Sequence, residues 1–221
     1  MSGAMTSAAP SSTRATIAGT TFVAAAFLLW LAWALMPDAA TADASHILDA
    51  VGAMRERVAW SARVQLLASA LFAPGLLFVA RRGGRATFWG AALLSVGAMG
   101  MAADAVYHQL AVEMTAPGID RAMVLPAMVA MQTRDIRTLV PLMLAFLVGV
   151  PVLVVGLRRD RRIDALAAWL VAAAPVLVVA GALAAVAFGF PRRFVALGML
   201  GVLCASLASV GRVLARGDDG P

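Results

Sequence analysis

The sequence predicts an all-α fold: a polytopic membrane helix bundle with six transmembrane helices and short amphipathic helices in two outer loops. Three observations carry this expectation. Of the 221 residues, 62% are apolar and only 14% are charged, against about 25% charged in an ordinary soluble domain. Mean hydropathy is +0.88. The apolar residues fall in long runs that are rich in Ala and Leu and lack the alternation of barrel strands. So few charges cannot cover a water-facing surface, which excludes a soluble globule, a disordered tail and a nucleic-acid-binding domain.

Six runs are long enough for ~30 Å of hydrocarbon, which takes about 20 residues at helical rise. The first covers 17–36 and stops at Pro37-Asp38. The second covers 58–80 and stops at Arg81-Arg82, and the third covers 86–112. The fourth, 138–157, lies between Arg137 and Arg158-Arg159. The fifth covers 164–190, Pro191-Arg192-Arg193 turns the chain, and the sixth covers 194–214. Together they make residues 1–221 a single membrane domain. Interior prolines (Pro74, Pro141, Pro151 and Pro175) are tolerated in membrane helices. The first run is longer than the 7–15 residues of a signal-peptide core, so it is read as a retained anchor.

Every basic residue is Arg, and arginines in short loops set orientation. With the N-terminus inside, Arg14, Arg81, Arg82, Arg85, Arg158, Arg159, Arg161, Arg162, Arg212 and Arg216 lie on the cytoplasmic side. Arg55, Arg57, Arg63, Arg121, Arg134, Arg137, Arg192 and Arg193 lie outside, mixed with acids. This favours N-in/C-in, in a bacterial plasma (cytoplasmic) membrane. It leaves two long outer segments, each with apolar residues at helical spacing: Ile47, Val51 and Met54 in one, Met123, Ala127 and Met131 in the other.

Ionisable groups inside spans cost roughly 2.5–3.5 kcal/mol at mid-helix and so mark candidate sites. Asp104 and His108 stand at i, i+4 on one face of the third span, behind Gly97 and Met101, with Tyr107 adjacent. Arg63 and Gln65 lie on the outer half of the second. Counting from the cytoplasmic arginines puts Arg63 at about 27 Å and Asp104 at about 28 Å along parallel axes. An Arg63–Asp104 ion pair is therefore expected, with His108 one turn further out. The ligand-binding candidates are Asp104, His108, Arg63, Tyr107 and Glu113. An Asp-x-x-x-His pair can orient an imidazole for acid–base work or share a metal. A metal would need a third ligand such as His46, and Glu113 falls half a turn off the face. No metal and no cofactor are assigned.

Met99, Met101, Met114, Met123, Met128 and Met131 crowd the third span and the loop after it. Thioethers suit Cu(I), but methionine is also an ordinary apolar filler, the reading adopted here. Cys204 is a lone thiol in an apolar run and makes neither a disulfide nor a zinc site. No P-loop, H-E-x-x-H or G-x-S-x-G pattern occurs.

The segment Glu113-Met-Thr-Ala-Pro-Gly-Ile-Asp120-Arg-Ala-Met123, the Pro141–Gly156 helix and the Leu157-Arg158-Arg159 exit resemble the small six-helix integral membrane proteins of GC-rich bacteria. The resemblance covers the layout of roughly residues 45–190. It implies a fold and a membrane location and no activity, so no functional residue is carried over. The expected role is a non-enzymatic one: binding a small or lipidic ligand, or serving as a partner subunit or homo-oligomer in the bilayer, without nucleic acid. The competing readings are a small transporter or channel and an intramembrane enzyme using Asp104 and His108.

Overall fold

The computed structural model describes residues 10–37, 43–188 and 192–215. Among these there are eight α-helices: α1 (Pro10–Leu35), α2 (Ala44–Ala53), α3 (Arg55–Arg82), α4 (Arg85–Met114), α5 (Arg121–Ala130), α6 (Ile136–Arg159), α7 (Ala165–Phe188) and α8 (Arg192–Ala215). A π-helical turn, Met131–Asp135, joins α5 to α6. Five helices (α1, α3, α4, α6 and α8) are long and apolar enough to cross a membrane. In α7, a 24-residue helix, the described apolar stretch is the shorter Ala168–Gly181.

The six long helices close into a ring in the order α1, α3, α4, α6, α7, α8 and back to α1. Its interior is filled by aromatic rings stacked edge to face: Phe22 and Phe72 lie 5.0 Å apart by centroid, Phe72 and Phe146 5.5 Å. Around them lie leucines such as Leu29, Leu94, Leu153 and Leu207, and α1 contributes small residues, with Ala15, Ala18, Ala25, Ala26 and Ala32 all inward. Large apolar side chains also face outward. Phe27, Leu77, Trp89, Leu166, Trp169 and Leu183 are each more than half exposed. A wide surface of large apolar side chains around an apolar interior departs from the pattern of a water-soluble bundle and is the build of a multi-pass membrane protein.

Glycine lets α4 and α6 touch backbone to backbone. Along the antiparallel seam Gly156 meets Thr87, Gly90 meets Leu153, Gly149 meets Leu94, Gly97 meets Phe146 and Gly100 meets Leu142. A Cβ on any of these glycines would run into the facing helix. On α1, Gly19 does the same for α8, against Gly211 and Ala215.

The two ends of the ring differ. One end gathers Arg14, Arg81, Arg82, Arg85, Arg158, Arg159, Arg161, Arg162 and Arg212. There the α3–α4 and α6–α7 loops clasp. Gly84 N (2.9 Å) and Thr87 Oγ1 (2.6 Å) donate to one carboxylate oxygen of Asp160, and Arg162 donates to the Arg82 carbonyl. Asp160 thus caps α4, whose own N-cap is Gly84 with no side chain to do so. Partial burial pushes the Asp160 carboxyl upward, but the Thr87 and Gly84 hydrogen bonds and the Arg162 charge outweigh it and hold the group below its ordinary value. A lowered folded-state value gives stability that is complete above the unfolded carboxylate pKa of about 3.9 and is lost as pH falls through the folded value. Asp160→Asn is therefore expected to remove about 1 kcal/mol or less at neutral pH. It should also flatten the loss of stability below about pH 4, as read by helical circular dichroism in detergent at pH 3 and pH 6. An unchanged acid limb would show that the clasp contributes nothing.

The opposite end carries α2 and α5 as a cap. Each starts on an aspartate, Asp43 accepting from His46 N (3.0 Å) and Asp120 from Ala122 N (2.9 Å). Arg121 ties the two helices together through Asp49 and through the Ser45 carbonyl and hydroxyl. The hydrogen bond from Arg121 lowers the Asp49 carboxyl, and that bond raises Arg121 in turn. Arg55 and Arg57 reach the terminal carbonyls Val112 O (3.3 Å) and Ala34 O (3.0 Å), where positive charge complements a helix C-terminus.

Both capping segments are thus helical over α2 and α5, as the spacing predicts, but the buried faces differ from it. In α2 the inward residues are Ala44, Leu48 and Val51, with Ile47 at the edge. In α5 they are Met128 with Val124 and Leu125, while Met123 is 78% exposed. The face is chosen by the ledge beneath it, Tyr107 and Ala111 at the end of α4, which the local sequence of α5 does not encode.

Candidate functional site

The glycine seam between α4 and α6 stops at Gly100 and Leu142. One turn beyond it α4 carries Asp104, Tyr107 and His108, and α6 gives way to the π-helical turn. Bulk replaces glycine on one helix while the other loses its regular geometry, so the two part. Between them lies a cavity of about 510 Å³, lined by Asp104, Tyr107 and His108, by Gln132 of the π-helical turn, and by Leu139 and Leu142 of α6. π-Turns inside α-helices occur frequently at functional sites. Exposed Val106 and Leu110 flank the cavity, so its rim is apolar surface.

Asp104 is buried at 8% exposure. Its carboxylate accepts from Gln65 Nε2 (2.9 Å), which also donates to the Met101 carbonyl (2.9 Å). The imidazole of His108 stands over the same carboxylate, with Nδ1 3.5 Å from Oδ2. That contact is too long for a good hydrogen bond, and His108 Nδ1 is buried with no hydrogen-bond partner. The ring packs edge to face on Tyr107, whose hydroxyl approaches the Met128 sulfur at 3.8 Å. The cavity thus has one polar corner, Asp104 with His108, and otherwise mostly apolar walls.

The expected Arg63–Asp104 pair does not form. Gln65 takes that place, and the Arg63 guanidinium lies on the outside of the bundle 5.4 Å over the Trp60 ring. Equal depth does not make a pair, because a helix turns 100° per residue and Arg63 sits about 200° round from Gln65. The buried stripe of α3 runs through Val58, Ser61, Ala62, Gln65, Ser69, Phe72, Leu76 and Val79. Ser61, Gln65 and Ser69 repeat every four residues on it, a signal in the sequence that points to Gln65. Arg63 is off the stripe.

The remaining candidates separate. Glu113 is exposed, accepts from Gln109 (3.1 Å) and does not line the cavity. His46 is on α2, its ring 3.2 Å from Asp43 in the N-cap, and does not join Asp104 and His108. Among the described residues no three metal-ligating side chains of the His, Cys, Asp or Glu type converge. Gln132, Leu139 and Leu142 carry no distinguishing local pattern, and only the path of the chain through the π-helical turn brings them to the site.

No family model, curated protein or solved structure matches this chain.

Proposed function

We propose that the chain is an integral membrane protein of the bacterial cytoplasmic membrane with six spans, α7 included, and both ends inside. In this reading the cavity at the capped end binds an amphiphilic ligand without turning it over. The observation that carries it is the buried Nδ1 of His108, near the Asp104 carboxylate but without a hydrogen-bond partner, beside a cavity with otherwise largely apolar walls. A buried polar atom without a partner costs about 1–3 kcal/mol, and a ligand hydroxyl or carbonyl would recover it. Asp104, 3.5 Å from that nitrogen, would accept a second hydrogen bond from the ligand hydroxyl. The apolar rim at Val106 and Leu110 supports entry of the ligand tail from the lipid side. The arginine clusters at the other end support the orientation.

The test uses the protein in phosphatidylcholine vesicles and a long-chain alcohol carrying a photoreactive diazirine. Labelling is expected on the α6 segment containing Leu139 and Leu142. His108→Leu fills the space but removes the polar atom, and should reduce that labelling about tenfold, the equivalent of one hydrogen bond. Equal labelling of the two proteins would overturn the reading.

A further inference from the structure

A second cleft lies at the opposite, arginine-rich end, between α1 and α3. Its volume is about 340 Å³, and its lining includes Arg14 and Ile17 of α1 with Leu77, Phe78, Arg81 and Arg82 of α3. The cleft has a physical origin. Deeper in the bundle α1 and α3 touch closely, because Gly75 admits Phe22 and the Ala18 carbonyl. Next to that contact, Pro74 interrupts the backbone ladder of α3. Toward the end of the pair Leu77 and Phe78 succeed the glycine, and the helices open.

The cleft is polar at one end and apolar at the other. Arg14 and Arg81 are exposed at the rim, and the Arg82 guanidinium lies 4.8 Å over the Phe78 ring. One turn deeper Ile17 and Leu77 are each more than half exposed, an apolar floor that continues onto the outer surface of the bundle. The acids described at this end, Asp160 and Asp164, belong to the α6–α7 loop and do not line the cleft. Asp160 is already engaged by Gly84 and Thr87. A rim of guanidinium groups above an exposed apolar floor is complementary to one phosphodiester above an acyl chain.

We infer that this cleft is a binding site for an anionic phospholipid, its phosphate held by Arg14 and Arg81 and its first acyl carbons lying on Ile17 and Leu77. The inference rests on the membrane reading of the bundle and is independent of the cavity at the capped end. Free phosphate shares the headgroup chemistry but leaves the apolar floor uncovered, so the lipid is the occupant.

The test is electron spin resonance of spin-labelled lipids around the protein in phosphatidylcholine vesicles. Spin-labelled phosphatidylglycerol is expected to be enriched over spin-labelled phosphatidylcholine at the protein surface. The variant R14Q/R81Q should lose most of that preference, about tenfold in relative affinity. R158Q/R159Q, which removes equal charge from the same end outside the cleft, should retain it. R14K/R81K keeps the charge and should retain part of it, and R14Q alone gives an intermediate loss should the double variant not assemble. Inorganic phosphate at millimolar concentration should leave the enrichment unchanged. Equal losses in R14Q/R81Q and R158Q/R159Q would overturn the inference by reducing it to general surface charge. Displacement by inorganic phosphate, or unchanged selectivity in R14Q/R81Q and R14Q, would also overturn it.

Discussion

Gln65→Leu is expected to destabilise the bundle by about 2–3 kcal/mol, measured as a shift in its unfolding by sodium dodecyl sulfate from mixed micelles. Two effects compete in this number. A hydrogen bond between helices in a membrane contributes only about 0.6 kcal/mol on average, so the loss of the bonds themselves is small. The larger effect is what Gln65 leaves behind. Its amide is the hydrogen-bond donor on the buried Asp104 carboxylate, and His108 is not placed to substitute for it. A carboxylate left buried in the bundle without its donor carries the desolvation cost of an unsatisfied polar group, about 1–3 kcal/mol and toward the upper end for a charged one. Replacing both partners with leucine removes the polar pair altogether and should return much of the stability. A Gln65→Leu loss below about 1 kcal/mol, or a double variant no better than the single one, would show that Asp104 is satisfied in some other way.

Gly97→Leu should be at least as damaging, about 3 kcal/mol or more. A Cβ on Gly97 meets the backbone and Cβ of Phe146. Backbone atoms of a packed helix cannot swing aside as a flexible side-chain tip can, so α4 and α6 must separate along the whole seam. Separation also disturbs Phe146 against Phe72, the ring contact that fills the centre. Gly198→Leu on α8 is the matched control, since a Cβ there meets nothing within 4 Å, and it should change stability by no more than about 0.5 kcal/mol. The same unfolding titration reads both. Leu is a better helix former than Gly, so similar losses in the two variants would mean that close packing at the α4–α6 seam is not what Gly97 provides.

These contrasts show what the sequence discloses about the molecule. Helix existence and approximate limits are readable because apolar run length is a local property: the runs at 58–80 and 86–112 lie inside α3 and α4. The pairing of Asp104 with His108 is readable for the same reason, since i, i+4 spacing fixes a common face. The partner of Asp104 needs one step more, the rotational phase of the neighbouring helix, and the Ser61–Gln65–Ser69 stripe supplies it. The cavity itself is not readable. It depends on where the glycine seam ends and on five residues of π-helix, which set the relative position of α4 and α6 and have no hydropathy signature. The buried faces of α2 and α5 are hidden likewise, because the surface below them comes from α4.

The closed ring has a consequence for how the protein is made. Its seam between α1 and α8 joins the first and last described helices, through Gly19 against Gly211 and through the Trp30 indole, which donates to the Leu197 carbonyl at 3.2 Å. Roughly 180 residues of synthesis separate the end of α1 from the end of α8, on the order of ten seconds or more at about 5–20 residues per second. During that interval α1 has α3 beside it but its flank at Gly19 and Trp30 uncovered, open to lipid or to another helix. The ring is therefore expected to pass through a gapped crescent that closes only when α8 arrives.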